Sequence, residues 1–381
     1  MGSLFIYFGL FLLEYLLGKQ IGIIRLSEYD RHCNDARESS LRYVPVSSLK
    51  VVFLSLLMIC VFTLIVGYRY GIGADYLQYE NIINSYKSID GIDLDILNRI
   101  SYEVGFYLLC KLVFFLGGDT VSIFALAAFI TFYFINKTIA YYSENGREYG
   151  MMAFISTLLL LGPSMNIVKQ VIACSIIYYS FRYIFEKKLL LYTVFVLLAS
   201  SFHVSAIIFI IFYAVNITQN DIGKFKETII TLGIILVPIF FQGLFNKVVS
   251  FSLFSGYTEY GNKFSIAINL KNIAFLLPII VPLFVFRKRI IEKDSRNRFF
   301  YIVLVSELVS IILSYSMHWA IRLSYYFIFA EAMLVAQLIE VSSRYKNIWQ
   351  LYYVICYLIF FCLKYFYWGN DGIFPYVSIF Q

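Results

Sequence analysis

Charged residues are scarce in this chain, and their scarcity excludes a large soluble domain. Of its 381 residues, 14% are charged and 60% are hydrophobic, whereas soluble domains carry about 25% charged and about 45–50% apolar residues. The six cysteines follow no spacing that indicates a metal site or a disulfide framework. The net charge of +7 is divided among short loops, which is typical of membrane topology signals. We therefore expect no metal, no cofactor and no nucleic acid as ligands.

What the chain has instead is a succession of apolar runs long enough to cross a bilayer. A crossing helix needs about 20 mainly apolar residues. The pattern predicts an all-α, polytopic membrane bundle that forms a single domain over residues 1–381, with about twelve crossing helices. We predict these helices at 3–17, 49–67, 104–117, 121–141, 167–185, 189–202, 204–217, 229–245, 273–287, 299–315, 323–341 and 348–367.

The run 151–162 is an exception, because it is short for a span and ends at Gly162-Pro163. A run of this length favours a re-entrant segment. The positions of the basic residues support that interpretation. Lys and Arg concentrate in cytoplasmic loops of membrane proteins, so the basic loops 18–48 and 287–298, and the smaller clusters at 186–188, 224–226 and 344–346, should all be cytoplasmic. These cytoplasmic assignments are consistent with one another only if the run 151–162 does not cross the membrane. The loop 68–103 then faces outward.

Three cations lie at outward helix ends, where this charge rule does not favour them: Arg69, Lys169 and Arg322. Arg69 is followed by Gly73, which would let the backbone approach a phosphate closely. Lys169 lies in the first turn of a helix, where the helix dipole already favours an anion. Together the three cations could hold a diphosphate. The alternative is that each is a side chain that snorkels to the membrane interface.

Candidates for a general base lie on the same predicted side. Asp75 and Glu103 belong to the loop 68–103, and His203 interrupts a nearly continuous apolar stretch. Any of them could deprotonate a hydroxyl group. The alternatives are solvated loop charges for the acidic residues and, for His203, a turn histidine bonded to a backbone carbonyl.

These residues follow one another in an order that resembles the EpsG-like family of Wzy-type polysaccharide polymerases. The order runs over about residues 65–330 and reads Arg69-x3-Gly73-x-Asp75-x3-Tyr79, Glu103-x-Gly105-Phe106, Asn166-x2-Lys169-Gln170, Phe202-His203-x-Ser205, and Arg322 followed by tyrosines. The motifs are short, so their specificity lies in their order. The family pattern has arginine where this chain has Lys169, and lysine lacks the bidentate fork of arginine.

The resemblance implies a bacterial enzyme of the cytoplasmic (inner) membrane, with its active site facing outward. A growing O-antigen, capsule or exopolysaccharide chain on undecaprenyl diphosphate would be transferred to a new lipid-linked repeat unit. The implied partners are that lipid-linked oligosaccharide and membrane lipid. A chain-length regulator is a further partner that the resemblance allows. The implied diphosphate ligands are Arg69, Gly73, Lys169 and Arg322, the implied catalytic residues are Asp75, Glu103 and His203, and the further candidates are Tyr79, Asn166, Gln170, His318 and Tyr325.

Three other functions stay open on the sequence. A flippase or transporter would use Lys111, Glu307 and Glu331, which lie inside apolar runs, as a charge relay, although the chain has no matched halves with broken helices. A related lipid-carrier glycosyltransferase or an O-antigen ligase would use the same carrier chemistry. A scaffold protein would leave the three outward cations unexplained.

Overall fold

The structure, a computed structural model, describes residues 2–35, 48–89, 103–213, 270–314 and 320–380. Within these ranges the chain is helical throughout and has no strand, apart from one isolated bridge between Arg69 and Ser378. The α-helices are α1 (Gly2–Asp35), α2 (Leu49–Gly67), α3 (Tyr76–Lys87), α4 (Val104–Phe115), α5 (Thr120–Tyr142), α6 (Gly146–Asn166), α7 (Val168–Phe185), α8 (Leu189–Phe202), α9 (Leu270–Val285), α10 (Arg287–Lys293), α11 (Asn297–Leu313), α12 (Ala320–Ser324), α13 (Phe329–Val341) and α14 (Lys346–Phe361). Shorter 3-10 or π-helical segments are Val204–Tyr213, Ser343–Tyr345, Cys362–Tyr367 and Asn370–Gly372.

Four of the described helices are long and apolar enough to span a membrane: Gly2–Glu28, Leu49–Gly67, Thr120–Tyr142 and Ser343–Tyr367. Shorter apolar helices are Val104–Phe115, Leu189–Phe202, Val204–Tyr213 and Leu276–Val285. The all-helical, membrane-type fold agrees with the prediction, whereas the count of about twelve crossings is not confirmed. The predicted helix 229–245 lies outside the described residues.

The helices form a bundle with two distinct ends. At the first, which we call the basic end, Arg25 bonds Ser143 (Nη1–Oγ 3.4 Å) and Lys293 bonds Glu148 (Nζ–Oε1 2.5 Å). These contacts place Arg25, from the predicted basic loop 18–48, and Lys293, from the predicted loop 287–298, at one end, as the charge pattern predicts. At the opposite end, which we call the outer end because the charge pattern predicts that it faces outward, the loop after α2 meets the last residues of α6 and the C-terminal tail.

The prediction of a re-entrant segment at 151–162 is wrong. Helix α6 has 21 residues and runs from the Glu148–Lys293 pair at the basic end to Asn166 at the outer end. The polar start of α6 concealed its length in the sequence. It is helical because the Asn145 side chain accepts the N–H groups of Arg147 and Glu148 and caps the first turn.

Glycines explain why this partly polar helix can be buried. A Cβ atom on Gly22 of α1 would lie 2.5 Å from the Cα atom of Gly146, and one on Gly18 would lie 3.0 Å from the Tyr149 ring. Small residues let two helix backbones approach closely inside a membrane. Helix α6 therefore packs directly on α1 and lies in the centre of the bundle, with nearly all of its residues buried.

The predicted crossing at 104–117 is also wrong. Helix α4 has 12 residues, so it is only about 18 Å long. It begins after Glu103 at the outer end, and the next helix, α5, starts at that end too, because Phe124 lies 4.5 Å from the Arg69 guanidinium. The chain thus returns to the end from which α4 began. Helix α6 therefore joins the two ends of the bundle and α4 does not, so Lys187 and Lys188 lie at the basic end, as the charge pattern predicts.

The core is apolar and rich in aromatic rings, with Phe62 stacked on Phe132 at 4.4 Å between ring centroids. Two predicted intramembrane acids lie within it. Glu307 and Glu331 are 3% and 1% exposed, they hydrogen-bond each other, and the Tyr357 hydroxyl donates to Glu331 at 2.8 Å. The two acids thus pair with each other, as structural pairing would require, although Oε2 of Glu307 is buried without a hydrogen-bond partner. Lys111 is only part-buried and donates to the carbonyl of Ile89.

Candidate functional site

Glu103, Lys169 and His203 converge at the outer end of the bundle. They come from three places: Glu103 precedes α4, Lys169 lies in the first turn of α7, and His203 follows α8. Oε1 of Glu103 is 3.0 Å from Nδ1 of His203, and its Oε2 forms a close ion pair with Nζ of Lys169. The three side chains are 12–17% exposed, so they are sheltered yet reachable from solvent.

A glycine explains how Glu103 reaches His203. A Cβ atom on Gly105 would lie 2.4 Å from Oγ of Ser201, so only glycine lets the start of α4 touch the end of α8. Helix α8 ends at His203, which has extended backbone angles (φ −153°, ψ 119°). The close approach of the two helix ends therefore places the carboxylate against the imidazole.

The electrostatics of this cluster keep Glu103 ionised. Burial raises the pKa of the Glu103 carboxyl, but hydrogen bonds and charge from His203 and Lys169 outweigh burial and hold the pKa below its ordinary value. A carboxylate with a lowered pKa is a weak base. Its bond to Nδ1 of His203 leaves Nε2 as the acceptor nitrogen of the neutral imidazole. The pair thus has the form of a histidine base that is oriented by a carboxylate.

Aromatic rings surround the lysine of the cluster. The Tyr79 hydroxyl accepts the backbone N–H of Lys169 at 3.4 Å, and the Tyr79 ring lies 5.7 Å from Nζ. Phe106, next to Gly105, is 5.9 Å from the same ammonium. Burial raises the pKa of Tyr79, so its hydroxyl stays protonated at neutral pH. Tyr79 therefore acts as a wall and a hydrogen-bonding group beside the cluster.

Arg322 supplies an exposed cation near the cluster. Nε2 of Gln170, the residue after Lys169, donates to the backbone carbonyl of Arg322 and so ties α12 to α7. The Arg322 guanidinium is exposed and interacts electrostatically with Tyr79 and Tyr325. Among the described residues it makes no ion pair, so its donors are available to an anion. His318 lies outside the described residues.

A second polar cluster lies beside the loop that follows α2. Oδ1 of Asn166 accepts the backbone N–H of Asp75 at 2.9 Å, and Nδ2 of Asn166 donates to Oδ1 of Asp371 at 3.4 Å. The other oxygen of Asp371 is buried without a hydrogen-bond partner. Burial raises the pKa of this carboxyl above its ordinary value. The cluster thus joins two predicted residues, Asp75 and Asn166, to one that was not predicted.

Asp371 was missed because it lies in the C-terminal tail. In the sequence it belongs to Gly369-Asn370-Asp371-Gly372, which is typical of a surface turn. The tail folds back over the outer end, where the N–H of Tyr70 donates to Val377 at 3.0 Å and the N–H of Ala74 donates to the carbonyl of Asp371 at 3.1 Å. No local pattern in the sequence predicts such a long-range contact.

Arg69 does not join either cluster as a free cation. Its side chain is 1% exposed, and its three nitrogens donate to the carbonyls of Ile72 (3.0 Å), Val66 (2.5 Å) and Met165 (3.0 Å). Burial lowers its pKa to about 10, which leaves the guanidinium charged at neutral pH. Its donors are directed at protein carbonyls, so this geometry fits a residue that positions the loop rather than a ligand of a diphosphate.

Gly73 also serves the protein's own packing. Its φ angle is +105°, and a Cβ atom there would lie 2.2 Å from the Met165 carbonyl oxygen. Its N–H donates to the carbonyl of Gly372 at 3.3 Å. The close backbone approach expected at Gly73 is present, but it is made to Met165 of α6.

The fold and these clusters define a class: a polytopic helical membrane protein whose end opposite the basic loops holds a histidine bonded to a carboxylate, together with two cations. Residues 52–378 match the family model of the EpsG family, a Wzy-like polymerase family. The match covers most of the chain and includes both clusters, so this protein belongs to the EpsG family. No curated protein and no solved structure matches it.

Proposed function

We propose that this protein is a polysaccharide polymerase that acts at the outer face of the bacterial cytoplasmic membrane. It would transfer a growing glycan from undecaprenyl diphosphate to a new lipid-linked repeat unit. The observation that carries the proposal is the cluster in which Glu103 contacts both Lys169 and His203. Membership of the EpsG family supports the polymerase reaction.

The proposed reaction exchanges one carbon–oxygen bond for another. A hydroxyl of the terminal sugar on the acceptor unit attacks the anomeric carbon of the donor glycan. A new glycosidic bond forms, and the bond between that carbon and the donor diphosphate breaks. The proton of the hydroxyl passes to a base, and undecaprenyl diphosphate leaves with the bonding electrons. Such a reaction needs a base, an anion site and a way to orient two sugars.

His203 is the proposed base for the acceptor hydroxyl. Nδ1 of its ring is engaged by Glu103, so Nε2 would receive the proton. Glu103 is the orienting residue, because its lowered pKa makes it a poor base. The proton transfer leaves a positive imidazolium on His203 next to the Glu103 carboxylate. The negative charge of Glu103 stabilises this imidazolium as it forms.

Lys169 and Arg322 are the proposed ligands of the leaving diphosphate. An exposed guanidinium offers the fork of donors that suits a phosphate, and the ammonium of Lys169 adds a point charge. Arg69 and Gly73 are assigned instead to the position of the loop, for the reasons of burial and contact given above. Asp75 and Asn166 are partly exposed and form a polar surface that fits the hydroxyl groups of a sugar, whereas the Asp371 carboxyl is bonded to Asn166 and buried.

Helix α4 offers a path for the carrier lipid. It does not cross the bundle, and its side chains Leu108, Leu112 and Phe115 are 43%, 53% and 87% exposed. An apolar face of this kind suits the outer leaflet of a bilayer. Since α4 begins directly after Glu103, a prenyl chain lying along it would bring its diphosphate to the cluster.

Reconstitution of the full-length protein tests this proposal. Wild-type protein, the His203→Ala variant and the Lys288→Gln variant would each receive lipid-linked repeat units in proteoliposomes. Lys288 is an exposed control at the basic end. We expect a ladder of products that differ by one repeat unit, with release of undecaprenyl diphosphate, from wild type and Lys288→Gln only. Wild-type protein that forms no polymer, or a fully active His203→Ala variant, would contradict the proposal.

A related ligase would share this chemistry, since it also releases the carrier diphosphate. It differs in its acceptor, so the same vesicles supplied with a lipid anchor in place of a second repeat unit separate the two enzymes. Single transfer to that anchor, without any ladder, would identify a ligase.

A further inference from the structure

A groove of about 630 Å³ lies between α1, α6 and α14, away from the candidate site. Leu12 of α1 and Leu351 of α14 line it and are 59% and 61% exposed. The groove therefore opens on the lateral surface of the bundle, which lipid surrounds in a membrane protein. Its volume is in the range of sites that hold small molecules, about 300–1,000 Å³.

The lining of this groove changes from polar to apolar along its length. At the basic end, Nη1 of Arg147 donates to Oδ1 of Asn347 at 3.1 Å, and Nε2 of Gln350 donates to the Tyr15 hydroxyl at 2.7 Å. Toward the middle of the bundle the lining is apolar, and consists of Phe8, Phe11, Leu12, Phe154, Val354 and Leu358. A ligand that fits this order has a polar head at the basic end and an apolar tail.

The charge at the polar end of the groove is positive. Lys19 lines the groove, is exposed and forms no ion pair among the described residues. Arg147 is 3.8 Å from Glu340, but that carboxylate is bonded at 2.5 Å by Lys346. Arg147 and Lys346 thus share one carboxylate, and Lys19 has none in the described part of the chain. The positive charge exceeds the negative charge at this end, so the head of the ligand should be an anion.

We propose that this groove binds one anionic phospholipid from the leaflet at the basic end of the bundle. Its phosphate would lie against Lys19 and Arg147, and an acyl chain would follow the apolar lining. The proposal is independent of the polymerase reaction. The lipid carrier is not the expected occupant, because the proposed function places its diphosphate at Lys169 and Arg322, at the opposite end of the bundle.

Native mass spectrometry of the full-length protein in detergent tests the proposal, with dioleoyl phosphatidylglycerol and dioleoyl phosphatidylethanolamine as probes. A basic residue near an anionic lipid surface contributes enough attraction that two of them should favour the anionic lipid by about tenfold or more. We expect one tightly bound phosphatidylglycerol on wild type. In Lys19→Gln/Arg147→Gln the preference should fall below about twofold, whereas in Lys288→Gln it should remain.

A second variant tests the apolar part of the groove without a change of charge. Leu351→Trp places a larger side chain at an exposed position of the lining and should weaken binding of both lipids. Equal affinity of wild type for the two lipids, or a preference that survives Lys19→Gln/Arg147→Gln, would overturn the proposal. Unchanged binding to Leu351→Trp, or displacement of phosphatidylglycerol by a polyprenyl phosphate at equal concentration, would also overturn it.

Discussion

Nδ1 of His203 lies 3.0 Å from Oε1 of Glu103, although 100 positions separate the two residues in the chain. The contact depends on Gly105, which lets the two helix ends meet. It fixes one ring nitrogen and leaves the other for chemistry. Glu103 also holds Lys169, so a single carboxylate orients the proposed base and one of the proposed diphosphate ligands.

Replacement of Glu103 by glutamine should stop polymerisation without unfolding the protein. Glutamine keeps the size of the side chain but removes the charge that orients His203 and stabilises its imidazolium. A positioned acid–base group contributes about 10²–10⁴-fold to a rate, so we expect turnover of lipid-linked repeat units to fall at least about 100-fold. Glu80→Gln, on the partly exposed side of α3, is the matched control. Glu103→Gln with more than half of wild-type turnover would remove this residue from the mechanism.

Replacement of Arg69 by alanine should lower the stability of the protein, whereas replacement of Arg322 by alanine should lower turnover and leave stability nearly unchanged. Arg69→Ala removes three donors from buried carbonyls, and an unsatisfied buried polar group costs about 1–3 kcal/mol, so the purified variant should melt at a lower temperature. Arg322→Ala removes an exposed side chain and should change stability by no more than about 0.5 kcal/mol. Its turnover should nevertheless fall at least about tenfold, since it loses a charge-assisted contact to the diphosphate. Thermal unfolding and turnover of both variants check this contrast, and the reverse pattern would refute it.

The two glycines of the loop after α2 should differ in their tolerance of alanine. Gly71 has φ +64° with nothing within 4 Å of an added Cβ, so Gly71→Ala should cost about 1–2 kcal/mol, the cost of a left-handed conformation. Gly73 has φ +105°, and its Cβ would lie 2.2 Å from the Met165 carbonyl oxygen, so the backbone must also move. The melting temperature should therefore fall clearly further for Gly73→Ala. Equal losses in the two variants would show that the packing against Met165 is unimportant.

Asp371→Asn should raise stability at neutral pH. Burial raises the folded-state pKa of Asp371 above its unfolded value, so the folded state favours the protonated carboxyl. The penalty of the charged form is fully present above the folded pKa and disappears as the pH falls toward the unfolded value of about 3.9. Asparagine also accepts the φ of +61° found here.

The measurement is the melting temperature of wild type and Asp371→Asn at pH 7 and at pH 4. The variant should be more stable at pH 7, and the difference should shrink at pH 4. A variant that loses stability at pH 7 would contradict the burial argument.

Local patterns predicted the residues of the cluster but not their contacts. Glu103, Lys169 and His203 could each be singled out because a polar residue at an apolar helix end is unusual. Their convergence depends on packing, as at Gly105 and Ser201. The position of Arg69 at a helix end predicted a cation that is free to bind a ligand. The sequence does not show that backbone carbonyls of the protein already accept its hydrogen bonds.

The fold was predicted in class and in its basic end, but two segments were misread for physical reasons. Helix α6 begins with polar residues that Asn145 and Lys293 stabilise, so its apolar part appeared too short to cross. Helix α4 is as apolar as a crossing helix, and only its contacts show that the chain turns back. The composition of a helix indicates whether it is apolar enough to lie in a bilayer. Its tertiary contacts show whether it runs from one end of the bundle to the other.

The most direct test is the surface glycan of the native host after deletion of this gene, with wild type or Glu103→Gln supplied in trans. We predict that the ladder of glycan lengths collapses to the core plus one repeat unit, that wild type restores the ladder, and that Glu103→Gln, present in the membrane at the same level, does not. An unchanged ladder in the deletion strain would contradict a polymerase. Complete absence of the glycan would contradict it as well, and would indicate a flippase or a ligase.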